Sequence, residues 1–443
     1  MESSELRGVS AHRPPLNALP TLVHGAIRAL RLYMYPVPEH LSAVYNDNDY
    51  CSRVRAKHPW LKLEYELWNS LPSEIWTTDA ESAHFFVVPN SYMRHECHRN
   101  KTILTTYVRQ GMARYFEYLY YAVPYYNRTR GQDHLITWIF ENGPLCDCAF
   151  RNAMRNEALA FGMLQSFAKI GYWGHRSTEM FGWRPGHDIA MPQYGAAGHW
   201  LGPPPDWKQI VSSERMSFGF WGSFWGDTVT CPSGLGTAAA LSGQHSCECS
   251  PGIRTWLNGY LKQHCNTSTA PTTRCASPGH RVPMGTFLYA LCPAAWACWS
   301  SRLYHAIDRL AVPAIMANDA IQPFEQLLDW SSFAVFLDTR PLQAGNLTQL
   351  DQLHEDALAT ARHCRGCPTC GNCTTLPFVQ RLRQLELVRT WFLYANESAP
   401  QSATGLFVLE LQCRHWHRST GGNGLCRRFP WQQLLNAAMH DLT

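Results

Sequence analysis

The sequence predicts an α/β protein of two domains, and three observations predict it. Residues Phe287 to Trp330 read FLYALCPAAWACWSSRLYHAIDRLAVPAIMANDAIQPFEQLLDW, in which two apolar runs flank one stretch of helical periodicity. Strand, helix and strand within about thirty residues make a βαβ unit. Another buried-strand run, AHFFVVP, lies far upstream behind an amphipathic stretch, so the same alternation occurs twice. At 443 residues the chain can also bury two separate cores.

The elements follow in order. Residues 1–28 read as a flexible, proline-bearing lead-in. LRLYMYPVP, Leu30 to Pro38, is a strand with a proline stop. From Glu64 an amphipathic helix leads to a turn and cap at Thr77–Asp79 and then to the buried strand AHFFVVP. Tyr107 to Tyr121 is a helix whose aromatic face reads as core. Asp133 and His134 precede the strand LITWIF, which runs to Glu141-Asn142-Gly143. A carboxylate at the C-terminal edge of a strand can act as an acceptor-activating base. Equally, Asp133 can cap a turn while His134 is a satisfied core side chain. LGPPPDW, Leu201 to Trp207, reads as a linker, dividing a domain at 29–200 from one at 208–411. Residues 412–443 form a tail.

Within the second domain, RMSFGFWG is a strand and the Gly-, Ser- and Cys-rich 227–250 a loop. FLYAL is a strand stopped by Pro293, and Ser300 and Ser301 are natural N-caps. Leu303, Ala306, Ile307 and Leu310 recur at helical spacing until Pro313 intervenes. VPAIMA is a second strand, Pro323-Phe324-Glu325 opens a helix ending near Trp330, and SSFAVFLD is a third strand. Leu350 to His363 and 378 to 394 are helices. The ligand of a βαβ unit lies beyond the strand C-termini, against the helix N-terminus. Free amides there attract anions, and the Arg302 guanidinium fits phosphate oxygens. That predicts a diphosphate. Glu325 can accept hydrogen bonds from sugar or ribose hydroxyls. The alternative is that Arg302 pairs with a surface carboxylate.

The pattern C-P-x6-S-x-R-L-x-x-A-I, then V-P-x-I-x-x-N-x4-P-F-E and D-W-x-x-F-x-V, is carried by Cys292, Pro293, Ser300, Arg302, Leu303, Ala306, Pro313, Pro323, Phe324, Glu325, Trp330 and Phe333. It resembles the nucleotide-sugar half of the exostosin-like glycosyltransferases in their plant and algal form. Upstream, Thr77, Asp79, Ala83, Phe85, Phe86, Val88 and Pro89 match the same family, as do Asp133, His134 and Gly143, with Glu141 in place of an Asp. The segment His187–Pro192, then Gly222 and Arg254, continue the likeness, which covers Leu30 to Leu411.

The resemblance implies two Rossmann-like domains facing a cleft, the GT-B arrangement, with donor in the C-terminal domain and acceptor in the N-terminal one. It implies inverting transfer from a nucleoside diphosphate sugar, a UDP-sugar, to a saccharide or glycoprotein acceptor. Catalysis would fall to Glu141, Asp133 and His134. The donor would be held by Arg302, Glu325, Ser300, Ser301, His305, Arg254 and Gly222. No metal and no cofactor beyond the donor substrate is expected. Ala295 and Leu310 replace glycines of the family, His305 an acidic residue and Asn318 a frequent Asp, and Gly222 lacks its following basic residue. These departures leave a second reading: a catalytically weak relative that binds glycans or serves a partner transferase. A third is a hydrolase pairing two of Asp133, Glu141 and Asp188, active without nucleotide.

A hydrophobic content of 45% with 16% charge and a net charge of +4 excludes a disordered chain and gives no reason to expect a nucleic-acid partner. Seventeen cysteines accompany six Asn-x-Ser/Thr sequons, at Asn100, Asn127, Asn266, Asn346, Asn372 and Asn396. Together they suit a secretory lumen, and with the resemblance the Golgi. In that setting Cys364, Cys367, Cys370 and Cys373 are expected as disulfides rather than a zinc site. The odd cysteine count leaves one thiol free or paired to another chain, which allows a homo- or hetero-dimer. The N-terminus has no long apolar core. The uncharged run from Arg281 to Arg302 contains Pro283, Gly285 and Pro293, so no internal membrane span is expected. Any membrane attachment is through an anchor not seen in this sequence.

Overall fold

The computed structural model describes residues 13–14, 16–45, 63–90, 107–138, 157–172, 174–176, 183–193, 206–220, 252–265, 275, 284–294, 300–392, 402–420, 426 and 429–431. The chain divides into two compact units. Unit 1 comprises Met1–Tyr194, Ile321–Leu328 and Leu393–Thr443, and unit 2 comprises Gly195–Ala320 and Asp329–Phe392. Neither unit is continuous in sequence.

Unit 1 is built on a parallel sheet of β1 (Leu32–Met34), β2 (Phe85–Val87), β3 (His134–Thr137), β4 (Ala168–Gly171) and β5 (Ile189–Ala190), hydrogen-bonded in that order. Its register pairs Leu32 with Phe85, Phe86 with His134, Leu135 with Ala168 and Ile170 with Ile189. Every residue of β2 to β5 is buried, which is why β2 and β3 read as continuous apolar runs instead of alternating ones. Leu19–Ala29, expected within the flexible lead-in, is an α-helix with Pro20 in its first turn and Leu19, Leu22, Val23 and Ala26 buried. It packs against the last described helix, Ala403–Ser419. That helix lies where the sequence suggests the end of the second domain and the start of a tail. Arg418 reaches across the starts of β2 and β3, donating to the carbonyls of His84 at 2.8 Å and Gln132 at 3.1 Å. The helix thus closes the N-terminal edge of the sheet.

A buried ionic cluster ties this helix to β4 and β5. The Asp188 carboxylate meets Lys169 Nζ at 3.2 Å and accepts backbone N–H groups from Lys169 at 3.0 Å and Arg184 at 2.6 Å. Burial pushes the Asp188 carboxyl up, but the ammonium of Lys169 beside it wins and holds it down at about 2. Arg414 donates to the Asp188 carbonyl at 3.1 Å and to Glu410 at 2.5 Å.

Unit 2 holds a second parallel sheet, ordered β6 (Met216–Gly219), β7 (Phe287–Pro293), β8 (Val312–Met316) and β9 (Val335–Phe336). Tyr289 lies opposite both Phe218 and Val312, and Ala314 opposite Val335. At Gly219 a Cβ would stand 2.0 Å from the Phe287 ring, so β6 and β7 approach only because that side chain is absent. Helices Thr348–Cys364 and Pro377–Val388 are joined by a loop closed by Cys364–Cys373 and Cys367–Cys370 disulfides. Cys265–Cys275 and Cys413–Cys426 are also bonded, and among the described residues the buried Cys292 is free. The expected helix from Pro323 does not form. Phe324 takes a left-handed φ of 55° and the segment is a series of turns. Among the described residues no helix is long and apolar enough to cross a membrane.

Candidate functional site

The best-formed site lies at the C-terminal ends of β6 and β7, and the helix Ser301–Asp308 opens there. Ser300 is the N-cap residue by backbone geometry (φ −144°, ψ 128°), but its side chain makes no capping bond. Its Oγ instead accepts from Arg302 Nη1 at 3.2 Å, which leaves the first amides of the helix without a side-chain cap from Ser300. The Arg302 guanidinium lies 4.8 Å from the centroid of Phe220, the residue that follows β6. Burial lowers its affinity for a proton, so a bound anion would be met in a partly desolvated setting where charge attraction is strong. Arg254, 7% exposed, donates from Nε to the carbonyl of Ala294, just past β7, at 3.2 Å. Two arginines and a helix N-terminus therefore converge on one sheet edge.

His305 sits one turn beyond Arg302, half-buried, and burial lowers its pKa before the opposing pull of Asp308. It is a neutral imidazole at neutral pH, one donor and one acceptor where a carboxylate is expected from the resemblance. The helix ends at Leu310, whose φ of 51° is left-handed. Ala311 N–H bonds the carbonyl of Ala306 at 2.9 Å and Leu310 N–H that of Ile307 at 3.2 Å. This is the terminus that usually takes glycine, which explains the glycine of the resembling family at this place. Sequence reasoning noted Asn318 as a departure from the family but did not pair it with Asp338. Asn318, after β8, donates to Asp338 Oδ1, after β9, at 3.1 Å, setting an amide and a carboxylate on the same edge. The signal was there in a carboxylate directly after an apolar run.

Glu325 belongs to unit 1, where both oxygens of its carboxylate accept from Arg176 Nη2 at 3.0 Å and one accepts the Gln322 N–H at 3.2 Å. Arg13 donates to its carbonyl at 3.1 Å.

Asp133 and His134 stand at the start of β3, the edge opposite the strand C-termini, and are 2% and 0% exposed. Asp133 Oδ1 bonds His134 Nδ1 at 2.7 Å and accepts the Thr129 hydroxyl, while His134 Nε2 meets the Tyr35 hydroxyl at 2.9 Å. The imidazole stacks on Phe86 and Phe167, with centroids 5.1 and 5.4 Å away. Burial pushes the Asp133 carboxyl up, but bonds from His134 and Thr129 bring it below its usual range; burial keeps His134 neutral. The pair has the form of a satisfied core network. Asp188 is likewise buried and paired, so the two described carboxylates of the hydrolase reading are both engaged within the core. Glu141, Gly222 and Ala295 lie outside the described residues.

Comparison with known proteins gives a consistent result. The exostosin GT47 domain family model matches residues 27–352. The chain is 24% identical over 361 residues to a probable glucuronoxylan glucuronosyltransferase of Arabidopsis thaliana, covering 78% of this chain and 71% of that protein. To a probable beta-1,4-xylosyltransferase of Arabidopsis thaliana it is 26% identical over 225 residues, 49% of this chain and 46% of the other. To a probable glucuronosyltransferase of Oryza sativa subsp. japonica it is 24% identical over 314 residues, 70% and 67% of the two chains.

Proposed function

The chain belongs to the exostosin GT47 domain family, and from that premise we propose that it transfers a sugar from a nucleoside diphosphate sugar, a UDP-sugar, to a saccharide or glycoprotein hydroxyl in the secretory pathway. The observation that carries this reading is the convergence of Arg302, Arg254 and the start of helix Ser301–Asp308 at one edge of the unit 2 sheet. A leaving diphosphate develops charge as the glycosidic bond breaks. Fixed guanidinium groups and helix N-terminal amides stabilise that charge, and they do so more in the transition state than in the ground state. The Ser300 hydroxyl accepts the Arg302 Nη1 hydrogen bond and so orients a guanidinium fork suited to phosphate oxygens. An inverting displacement also requires a base for the acceptor hydroxyl. Glu141 is the candidate for that role by resemblance, whereas Asp133 and His134 position β3.

The test is turnover. The full chain is incubated with UDP-glucuronic acid or UDP-xylose and xylan-type acceptors, beside Arg302→Ala. Transfer by the wild type and its loss in the variant support the reading; transfer that survives Arg302→Ala refutes the donor site. A second reading, a catalytically weak glycan-binding relative, is favoured by His305, a neutral side chain at an acidic position. It predicts nucleotide binding without turnover.

A further inference from the structure

Three of the sequons, at Asn127, Asn346 and Asn372, fall in the described residues, and the fold treats them differently. Asn346 follows helix Thr339–Gln343, which ends on Gly345 at a left-handed φ of 87°. Gly345 N–H bonds the Leu342 carbonyl at 2.9 Å, and Asn346 N–H bonds that of Pro341 at 2.9 Å, the paired closure of a glycine-terminated helix. Two residues later helix Thr348–Cys364 begins. The Asn346 backbone is therefore held between two helices. Its side chain is exposed, as are Gln343, Ala344, Gly345 and Thr348 around it. A Cβ placed on Gly345 would meet no other atom within 4 Å, so the space beside the residue is open.

The carboxamide is oriented as well as exposed. Asn346 Oδ1 accepts the Thr348 N–H at 3.1 Å, which joins the first and third residues of Asn346-Leu347-Thr348. Its Nδ2 has no protein hydrogen bond among the described residues. The other two sequons are tied into the fold. Asn127 lies inside helix Tyr125–Thr129 and donates to the Tyr120 carbonyl at 3.5 Å, while the Thr129 hydroxyl of the same sequon is bonded to the buried Asp133. Asn372 lies between Cys370 and Cys373, each in a disulfide, so a glycan there competes with closure of that loop.

We propose that Asn346 is a modification site that carries an N-linked oligosaccharide. In the transfer, Nδ2 bonds to C1 of the first sugar as the bond from that carbon to a lipid-linked diphosphate breaks. The lipid diphosphate leaves, and a base of the oligosaccharyltransferase takes one amide proton. The oligosaccharide then stands in solvent on unit 2, where its bulk displaces no packed side chain. The inference rests on the secretory-pathway part of the proposed function, because the oligosaccharide is attached in that lumen. The experiment therefore has one arm for the site and one for the compartment.

For the site, the full chain is sent into the lumen of a eukaryotic expression host by an added leader. It is then treated in heavy-oxygen water with peptide N-glycosidase, which turns a glycosylated Asn into a labelled Asp. Peptide mass spectrometry is expected to find the label at residue 346. On gels, Asn346→Gln and Thr348→Ala each lose one glycan step, whereas Thr348→Ser keeps it; all three leave the thermal midpoint and UDP affinity unchanged. For the compartment, the same peptides are read in protein isolated from its own cells. Asn346 unlabelled in the folded, leader-directed chain, or bare in the native protein while another sequon is modified, overturns the inference. Asn346 labelled in the leader-directed chain with every sequon bare in the native protein overturns the secretory reading instead.

Discussion

Replacing Asp188 by Asn tests how unit 1 is held together. The carboxylate stands beside Lys169 Nζ at 3.2 Å, and the two side chains are 2% and 0% exposed. A carboxyl that titrates near 2 and not near its ordinary 3.8 contributes roughly 2 kcal/mol at neutral pH. Burial lowers the Lys169 pKa as well, which costs stability at neutral pH, so the pair as a whole is worth less than the share of Asp188. Removing one partner is a different matter, because Lys169 is then left buried and uncompensated, at a cost of about 3–5 kcal/mol. The asparagine side chain would also turn its NH2 toward one of two backbone N–H groups that now meet oxygen. Total stabilities are about 5–15 kcal/mol, so Asp188→Asn removes a large part. Urea unfolding followed by tryptophan fluorescence reads this as a lower midpoint, and adding Lys169→Met recovers much of the loss. The pH dependence has a definite sign. The folded pKa is depressed, so the contribution is present above pH 4 and falls away from about pH 4 to 2; the Asp188→Asn variant lacks that limb. A variant within 1 kcal/mol of wild type, or one with the same acid limb, would refute the reasoning.

Other outcomes follow from the same geometry. His134→Gln breaks the ring stack with Phe86 and Phe167 and the bond to Asp133, destabilising by about 3 kcal/mol. Turnover per folded molecule stays within a few-fold, whereas loss of a true general base would lower it by roughly 100-fold or more. Leu310→Gly relieves a left-handed residue, worth about 1–2 kcal/mol, but empties a side chain only 1% exposed, worth about 2–5 kcal/mol. The net is a destabilisation seen as a lower thermal midpoint; a more stable variant would contradict this. Under graded dithiothreitol, Cys367–Cys370, with Cys370 exposed and Cys367 half-buried, opens before the fully buried Cys364–Cys373. Differential alkylation and mass spectrometry give the order, and the reverse order would defeat the argument from exposure.

The most legible strands were the long buried ones, because buried parallel strands are apolar throughout: Phe287–Pro293 and Val312–Met316 have no exposed residue. Ala168–Gly171, with Lys169 in it, and the two-residue Ile189–Ala190 were not read as strands. The helix with Arg302 was legible from its two serines and its apolar spacing. What local pattern does not carry is which sheet a segment joins. Glu325 follows Arg302 closely in sequence, and Pro323-Phe324-Glu325 has the composition of a helix start. Its partners, Arg13 and Arg176, are 312 and 149 residues away, and the left-handed Phe324 turns the chain toward them. The helix Ala403–Ser419 is buried along its first nine residues, which marks it as core without naming the core. Asp133 and His134 were legible at the start of their strand, which begins at His134, but composition leaves a core pair and a catalytic pair alike; their burial at 2% and 0% exposure comes from helices and rings far away in sequence.

The central claim is that Arg302 helps to hold a nucleoside diphosphate at the β6 and β7 edge. Titration calorimetry of UDP into the full chain and into Arg302→Ala, with and without a divalent cation, tests it most directly. The account predicts saturable binding by the wild type that weakens by roughly tenfold or more in the variant, the loss of a charge-assisted pair in a desolvated site. No UDP binding by the folded wild type, or equal affinity in the two proteins, would contradict it.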